Sequence, residues 1–150
     1  MSLGALTIQL IEAKFTRDVK TFRKMDPYAH FDLRSNEQTW KTEVCKNGST
    51  KPKWTDQKET FDIKYLGDDF VVKFMDLDPV CDEQIGQAFI KVASLCAYPE
   101  SDMWFPLTWK NKKAGDCHLK ATWVPRTPSP AEVQKKEHQS EISKAQEALK

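Results

Sequence analysis

Residues 70–78 read Phe70-Val71-Val72-Lys73-Phe74-Met75-Asp76-Leu77-Asp78. The first six alternate in the two-residue rhythm of a half-buried strand, and the last three break into alternating acid. Strict alternation over so short a run, bounded by Asp on both sides, predicts a strand feeding a loop and leaves no room for a helix. The same rhythm recurs along the chain. Leu6, Ile8 and Leu10 share one face of a first strand, with Thr7 and Gln9 on the other. Residues 28–33 set Tyr28, His30 and Asp32 against Ala29, Phe31 and Leu33. Residues 39–44 and 60–65, a strand from Gln84 to Val92, and residues 104–107 and 117–123 complete a set of eight.

Gly, Pro, Asn, Asp and Lys separate these strands, and only Val92-Ala93-Ser94-Leu95 offers a helical turn. Many short strands without interleaved helices predict two packed antiparallel sheets, an all-β eight-stranded sandwich over residues 1–125. All five Trp, three Tyr and eight Phe fall in that part of the 150-residue chain, enough for one sizeable core. Beyond it, Pro125, Pro128 and Pro130 predict an extended linker. Ser129-Pro130-Ala131-Glu132 is a capping sequence, so residues 126–150 read as linker plus C-terminal helix. Val133, Ile142, Ala145 and Leu149 give that helix a thin apolar stripe, suited to a fraying tail or to docking on a protein partner through residues 129–150.

Net charge is +1, from 23 basic and 22 acidic residues, which argues against nucleic acid as partner. Cys45, Cys81, Cys96 and Cys117 lack the spacing of a zinc or redox pair. With no basic leader and no long apolar run, the expectation is a cytoplasmic protein with reduced thiols, in which the sequon Asn47-Gly48-Ser49 stays silent. His30 and His118 fall in strands as ordinary strand residues. No nucleophile elbow or phosphate loop occurs, so no catalysis is expected.

Local charge is uneven. Lys24-Met25-Asp26-Pro27-Tyr28 leads into one strand, while Asp76, Asp78, Asp82 and Glu83 flank the loop after another. Carboxylates gathered at one point repel unless a cation joins them, and calcium takes six to eight such oxygens. Asp26 before Pro27 also suits a simple turn, but three aspartates between 76 and 82 exceed what one turn needs.

In their order along residues 4–124, Gly4-Ala5-Leu6-Thr7-Ile8, Asp26-Pro27-Tyr28, Lys41-Thr42, Pro52-Lys53-Trp54, Asp76-Leu77-Asp78, Ile85-Gly86 and Trp104-Phe105-Pro106-Leu107 resemble the C2 domain family. The resemblance implies a sandwich whose loops hold Ca2+ through Asp26, Asp76, Asp78 and either Asp82 or Glu83, and which docks on anionic phospholipid membranes. It implies Phe22 and Val80 as tips that insert into lipid. It also implies an anionic-lipid groove of Tyr28, Trp40, Lys41, Lys46, Lys51 and Lys53, although lysines there could equally guard strand edges. One position departs from the family pattern: Lys20 stands where a further loop aspartate is usual, and its ammonium could take the place of an ion. Two functions follow, a calcium-responsive membrane module or a calcium-independent interaction module within a larger assembly.

Overall fold

The computed structural model describes residues 1–127, so the expected helix over 129–150 lies outside the described residues. Eight strands and one helical turn form in the order β1 (Gly4–Phe15), β2 (Pro27–Leu33), β3 (Gln38–Lys41), β4 (Lys58–Ile63), β5 (Asp69–Asp76), β6 (Glu83–Lys91), α1 (Val92–Leu95), β7 (Glu100–Trp109) and β8 (Lys112–Pro125). Each strand pairs antiparallel with its neighbours in the order β3-β2-β5-β6-β7-β8-β1-β4. Between β6 and β7 the ladder narrows to a single pair, Gln87 opposite Thr108. That weak joint lets the ladder fold into two four-stranded layers, the sandwich that alternation predicts.

The core lies between the layers. Leu6, Ile8, Leu10, Phe31, Phe61, Phe70, Phe74, Ile85 and Ile90 are almost wholly buried. Phe74 meets Phe15 edge-on at 5.5 Å and Trp54 at 6.0 Å, so β5, β1 and the 42–57 segment share one aromatic cluster. Along β1 the buried positions change from even to odd after Leu10, continuing with Ala13 and Phe15. A bulge in the β1–β8 pairing between Leu10 and Glu12 causes that change of phase.

The third strand stops at Lys41, short of the expected Val44, although the Thr42 amide still donates to the Ala29 carbonyl at 2.9 Å. The buried Thr42 hydroxyl accepts from the Ala29 amide at 2.9 Å and donates to the Glu43 carbonyl at 3.0 Å, so a side chain reinforces what the backbone ladder began. The 42–57 segment then folds onto β1: the Trp54 amide donates to the Ile11 carbonyl, and the Ala13 amide to that of Pro52.

The outermost strands, β3 and β4, face one another across a gap that Gln38 bridges. Its side-chain nitrogen donates to the Asp62 carbonyl at 2.7 Å, and its oxygen accepts from the Asp62 amide at 2.9 Å. The ladder is thus nearly closed on itself.

By register, β1, β3, β5 and β7 end where β2, β4, β6 and β8 begin. Segments 16–26, 42–57, 77–82 and 110–111 therefore gather at one end of the sandwich. All the acidic candidates lie there.

Candidate functional site at the loop end of the sandwich

Pro27 opens β2 opposite Asp76, which closes β5, so the two distant acidic segments meet. The Asp26 amide donates to Asp76 Oδ1 at 2.8 Å, and the Leu77 amide donates to the Asp26 carbonyl at 3.0 Å. Asp76 has no exposed surface. Its other oxygen, Oδ2, is buried without a well-aimed hydrogen bond, and Lys20 Nζ lies 3.1 Å away. The same ammonium donates to Asp78 Oδ2 at 2.5 Å, and Arg23 Nη2 approaches that oxygen at 3.4 Å.

The titration behaviour follows from this pairing. Hydrogen bonding to Lys20, with help from the Val80 amide, holds the Asp78 carboxyl down to about 2. The hydrogen bond to Asp78, and then the close approach of Asp76, raise Lys20 above its ordinary value. Both groups stay charged across the physiological range.

The remaining carboxylates are engaged by the protein itself. Asp26 Oδ1 accepts from the Asn47 amide at 2.7 Å, and Asp78 Oδ1 accepts from the Val80 amide at 3.0 Å. Asp82 accepts from the Asp78 amide at 2.9 Å through one oxygen and from the Tyr28 hydroxyl through the other. Burial, and then Asp82, push the Tyr28 phenol up to about 12, so it remains a donor. Asp18 turns back to accept from the Lys20 amide at 2.9 Å. Glu83 is exposed at the start of β6.

Calcium asks for six to eight oxygens at about 2.3–2.6 Å. As arranged, these donors do not fit it: an ammonium stands between Asp76 and Asp78, and Asp26 and Asp82 are turned to amides and a phenol. Among the described residues no group of three or more His, Cys, Asp or Glu side chains is placed to hold a metal ion.

Around this cluster the tips project. Phe22 is 100% exposed and Val80 is 94% exposed, with no share in the core. The groove residues divide. Lys41 Nζ lies 4.7 Å from the Tyr28 ring centre, and both line an open cavity of about 250 Å³ with His30, Lys73 and Met75. Trp40, adjacent to Lys41 on a strand, points the other way and stacks on Phe31 at 4.8 Å. Lys46, Lys51 and Lys53 stand exposed on the 42–57 segment, outside that cavity. Sequence reading missed Lys73 and His30. Their alternation put them on outward faces, but only the register, with His30 opposite both Lys41 and Lys73, makes a row of them.

The opposite layer carries a second polar cluster. His118 on β8 contacts Glu12 Oε2 through Nδ1 at 3.1 Å and Asp102 through Nε2, and stacks on Trp104 at 4.8 Å. Burial alone would lower this imidazole, but the bonds to Asp102 and Glu12 outweigh it and raise the pKa. All four cysteines are free thiols. Among the described residues no helix is long and apolar enough to cross a membrane.

Comparison with known proteins agrees with this architecture. The sequence pattern of the C2 domain matches residues 4–107. Elicitor-responsive protein 3 of Oryza sativa subsp. japonica is 29% identical over 96 residues, covering 63% of this chain and 65% of that protein. A C2 domain of plant extended synaptotagmin 1 superposes with a TM-score of 0.74 at 17% identity, over 85% of this chain and 99% of that one. The calcium-bound pair of C2 domains of extended synaptotagmin 2 gives 0.71 at 23% identity, over 90% of this chain and 51% of that one.

Proposed function

The chain belongs to the C2 domain family, and from that premise we propose that it is a non-catalytic binding module that docks on anionic phospholipid membranes without calcium. The observation that carries this reading is the Lys20 ammonium against Asp76 and Asp78. It supplies in covalent form the positive charge that a bound ion would bring, so the loop end has its acidic residues neutralised before any lipid arrives.

Docking then rests on two contributions. Phe22 and Val80 offer apolar surface, and full burial of such a side chain is worth about 1.5–3 kcal/mol, of which shallow insertion realises a part. Basic residues on the same end, Lys24, Lys46, Lys51 and Lys53 among them, each add ~1 kcal/mol near an anionic surface. The Lys41, Lys73 and Tyr28 cavity lies along the outer face of β2, β3 and β5 and suits a headgroup lying against the sheet. Anionic lipid is concentrated on the cytoplasmic leaflet, which makes a peripheral position there the natural one.

Calcium-driven docking through Asp26, Asp76, Asp78, Asp82 or Glu83 is the competing reading, and it requires Lys20 and Arg23 to withdraw from Asp78 first. Sedimentation of the chain with phosphatidylserine vesicles, in calcium and in chelator, separates the two. Equal binding in both conditions is expected, whereas binding that appears only with calcium would reverse the proposal.

A further inference from the structure

We propose that a phosphomonoester-binding site lies between the base of the 16–26 segment and the β7–β8 hairpin, separate from both the acidic cluster and the Tyr28 cavity. An open cavity of about 580 Å³ lies there, within the size range of small-ligand sites. Arg17, Lys110, Lys112 and Lys113 line it, with Asp18 as the one carboxylate. Lys113 is half-engaged, 3.4 Å from Asp116. Asp18 already accepts from the Lys20 amide. Cationic charge is therefore in excess at one concave point.

Arg17 is the residue that gives this site chemistry beyond surface charge. Its guanidinium carbon lies 4.5 Å from the centre of the Trp109 ring, a cation–π contact that restrains the side chain beside the cavity. Its Nε is buried with no hydrogen-bond partner. Among the described residues no carboxylate pairs with this guanidinium. A buried N–H without an acceptor carries a desolvation cost, and an anion entering the cavity would remove it. A planar fork matches two oxygens of a phosphate, and flexible lysines around it suit the second charge that a monoester carries near neutral pH. A phosphodiester such as that of phosphatidylserine has one charge and two free oxygens, so it fits the set less well.

The 110–111 turn lies on the same end as Phe22 and Val80, so a phosphorylated lipid headgroup can reach the site while the tips meet the bilayer. The source of the ligand, though not the site itself, rests on the docking reading above. A soluble inositol phosphate presents the same chemistry.

The test uses the full chain with three probes: phosphatidylinositol 4-phosphate vesicles, phosphatidylserine vesicles of matched surface charge, and soluble inositol trisphosphate in a calorimeter. The phosphomonoester vesicles should bind about tenfold more tightly, the worth of one charge-assisted hydrogen bond. Arg17→Gln should bring the two vesicles level without changing phosphatidylserine binding. Lys112→Gln, at an exposed position that cannot disturb packing, should reduce the preference in the same direction. A preference that is absent, that survives both substitutions, or that disappears only with Lys41→Gln and Lys73→Gln overturns the site and leaves the docking reading standing. If neither vesicle binds, the docking reading fails and calorimetry decides alone. Inositol trisphosphate heat lost in Arg17→Gln then supports the site with a soluble ligand, and no heat overturns it.

Discussion

Lys20 Nζ lies 3.1 Å from Oδ2 of Asp76, a buried oxygen that has no well-aimed hydrogen bond of its own. A buried carboxylate without a cation is strongly disfavoured, so the lysine answers a need that β5 creates by ending on Asp76 inside the fold. This contact joins the buried Met25 and the partly buried Val19 in holding the 16–26 segment, whose tip residue Phe22 is fully exposed.

Reversing that charge should convert the site. In Lys20→Asp, the pocket gains oxygens and loses its resident cation, so the variant should be less stable than wild type in chelator. Calcium at 100 times its dissociation constant should return ~2.7 kcal/mol, a rise in Tm of roughly 10 °C for a domain of this size. Wild type should show no calcium-dependent rise. Paired melting curves in calcium and chelator measure both; a wild-type rise equal to that of the variant would contradict the role given to Lys20.

Phe22→Ala with Val80→Ala should leave Tm nearly unchanged, since neither side chain packs on anything, and surface changes of this kind stay within about 0.5 kcal/mol. Binding to phosphatidylserine vesicles should weaken by roughly tenfold or more, the share of apolar burial that shallow insertion realises. Loss of Tm together with binding would instead assign these tips a structural part.

The Asp78 carboxyl, held near 2 against an ordinary 3.8, makes a pH prediction of definite sign. A depressed acid stabilises the fold above its unfolded value, and that contribution is lost as pH falls through the folded one. Urea midpoints should therefore drop between pH 3.8 and about 2 in wild type, and less in Asp78→Asn. Lys20→Gln should move the Asp78 titration upward, readable as a shift of its carboxyl carbon resonance.

His118 works in the other direction. Its pKa is raised above 6.5, so the stability it adds is full below that value and declines as pH climbs through the folded pKa. The difference in Tm between wild type and His118→Gln should shrink on the alkaline side. A difference constant across this range would mean that the bonds to Glu12 and Asp102 act on the neutral ring.

Alternation alone located the eight strands and the short turn at Val92–Leu95, because burial of one strand face imposes a period that composition cannot hide. The meeting of Asp26 with Asp76 was expected only through the resemblance to the C2 family, since alternation marks strand ends without saying which of them pair. Register was not legible. Nothing in the sequence says that His30 stands between Lys41 and Lys73, or that Arg17 reaches Trp109, almost a hundred residues away. Trp40 shows a plainer oversight: neighbours on a strand face opposite ways, so it could not line a groove with Lys41. The bulge after Leu10 is visible afterwards in the slip from Leu10 to Ala13, and it is what brings Glu12 opposite His118.

The Gln38 side chain offers one N–H donor and one carbonyl to Asp62, the same pair of groups a peptide unit would present. A strand from another molecule seeking to extend the sheet at Asp62 finds those groups already taken. If the module docks as proposed, copies crowded together on a lipid surface meet the same occupied backbone groups of Asp62 and gain no sheet pairing at that point.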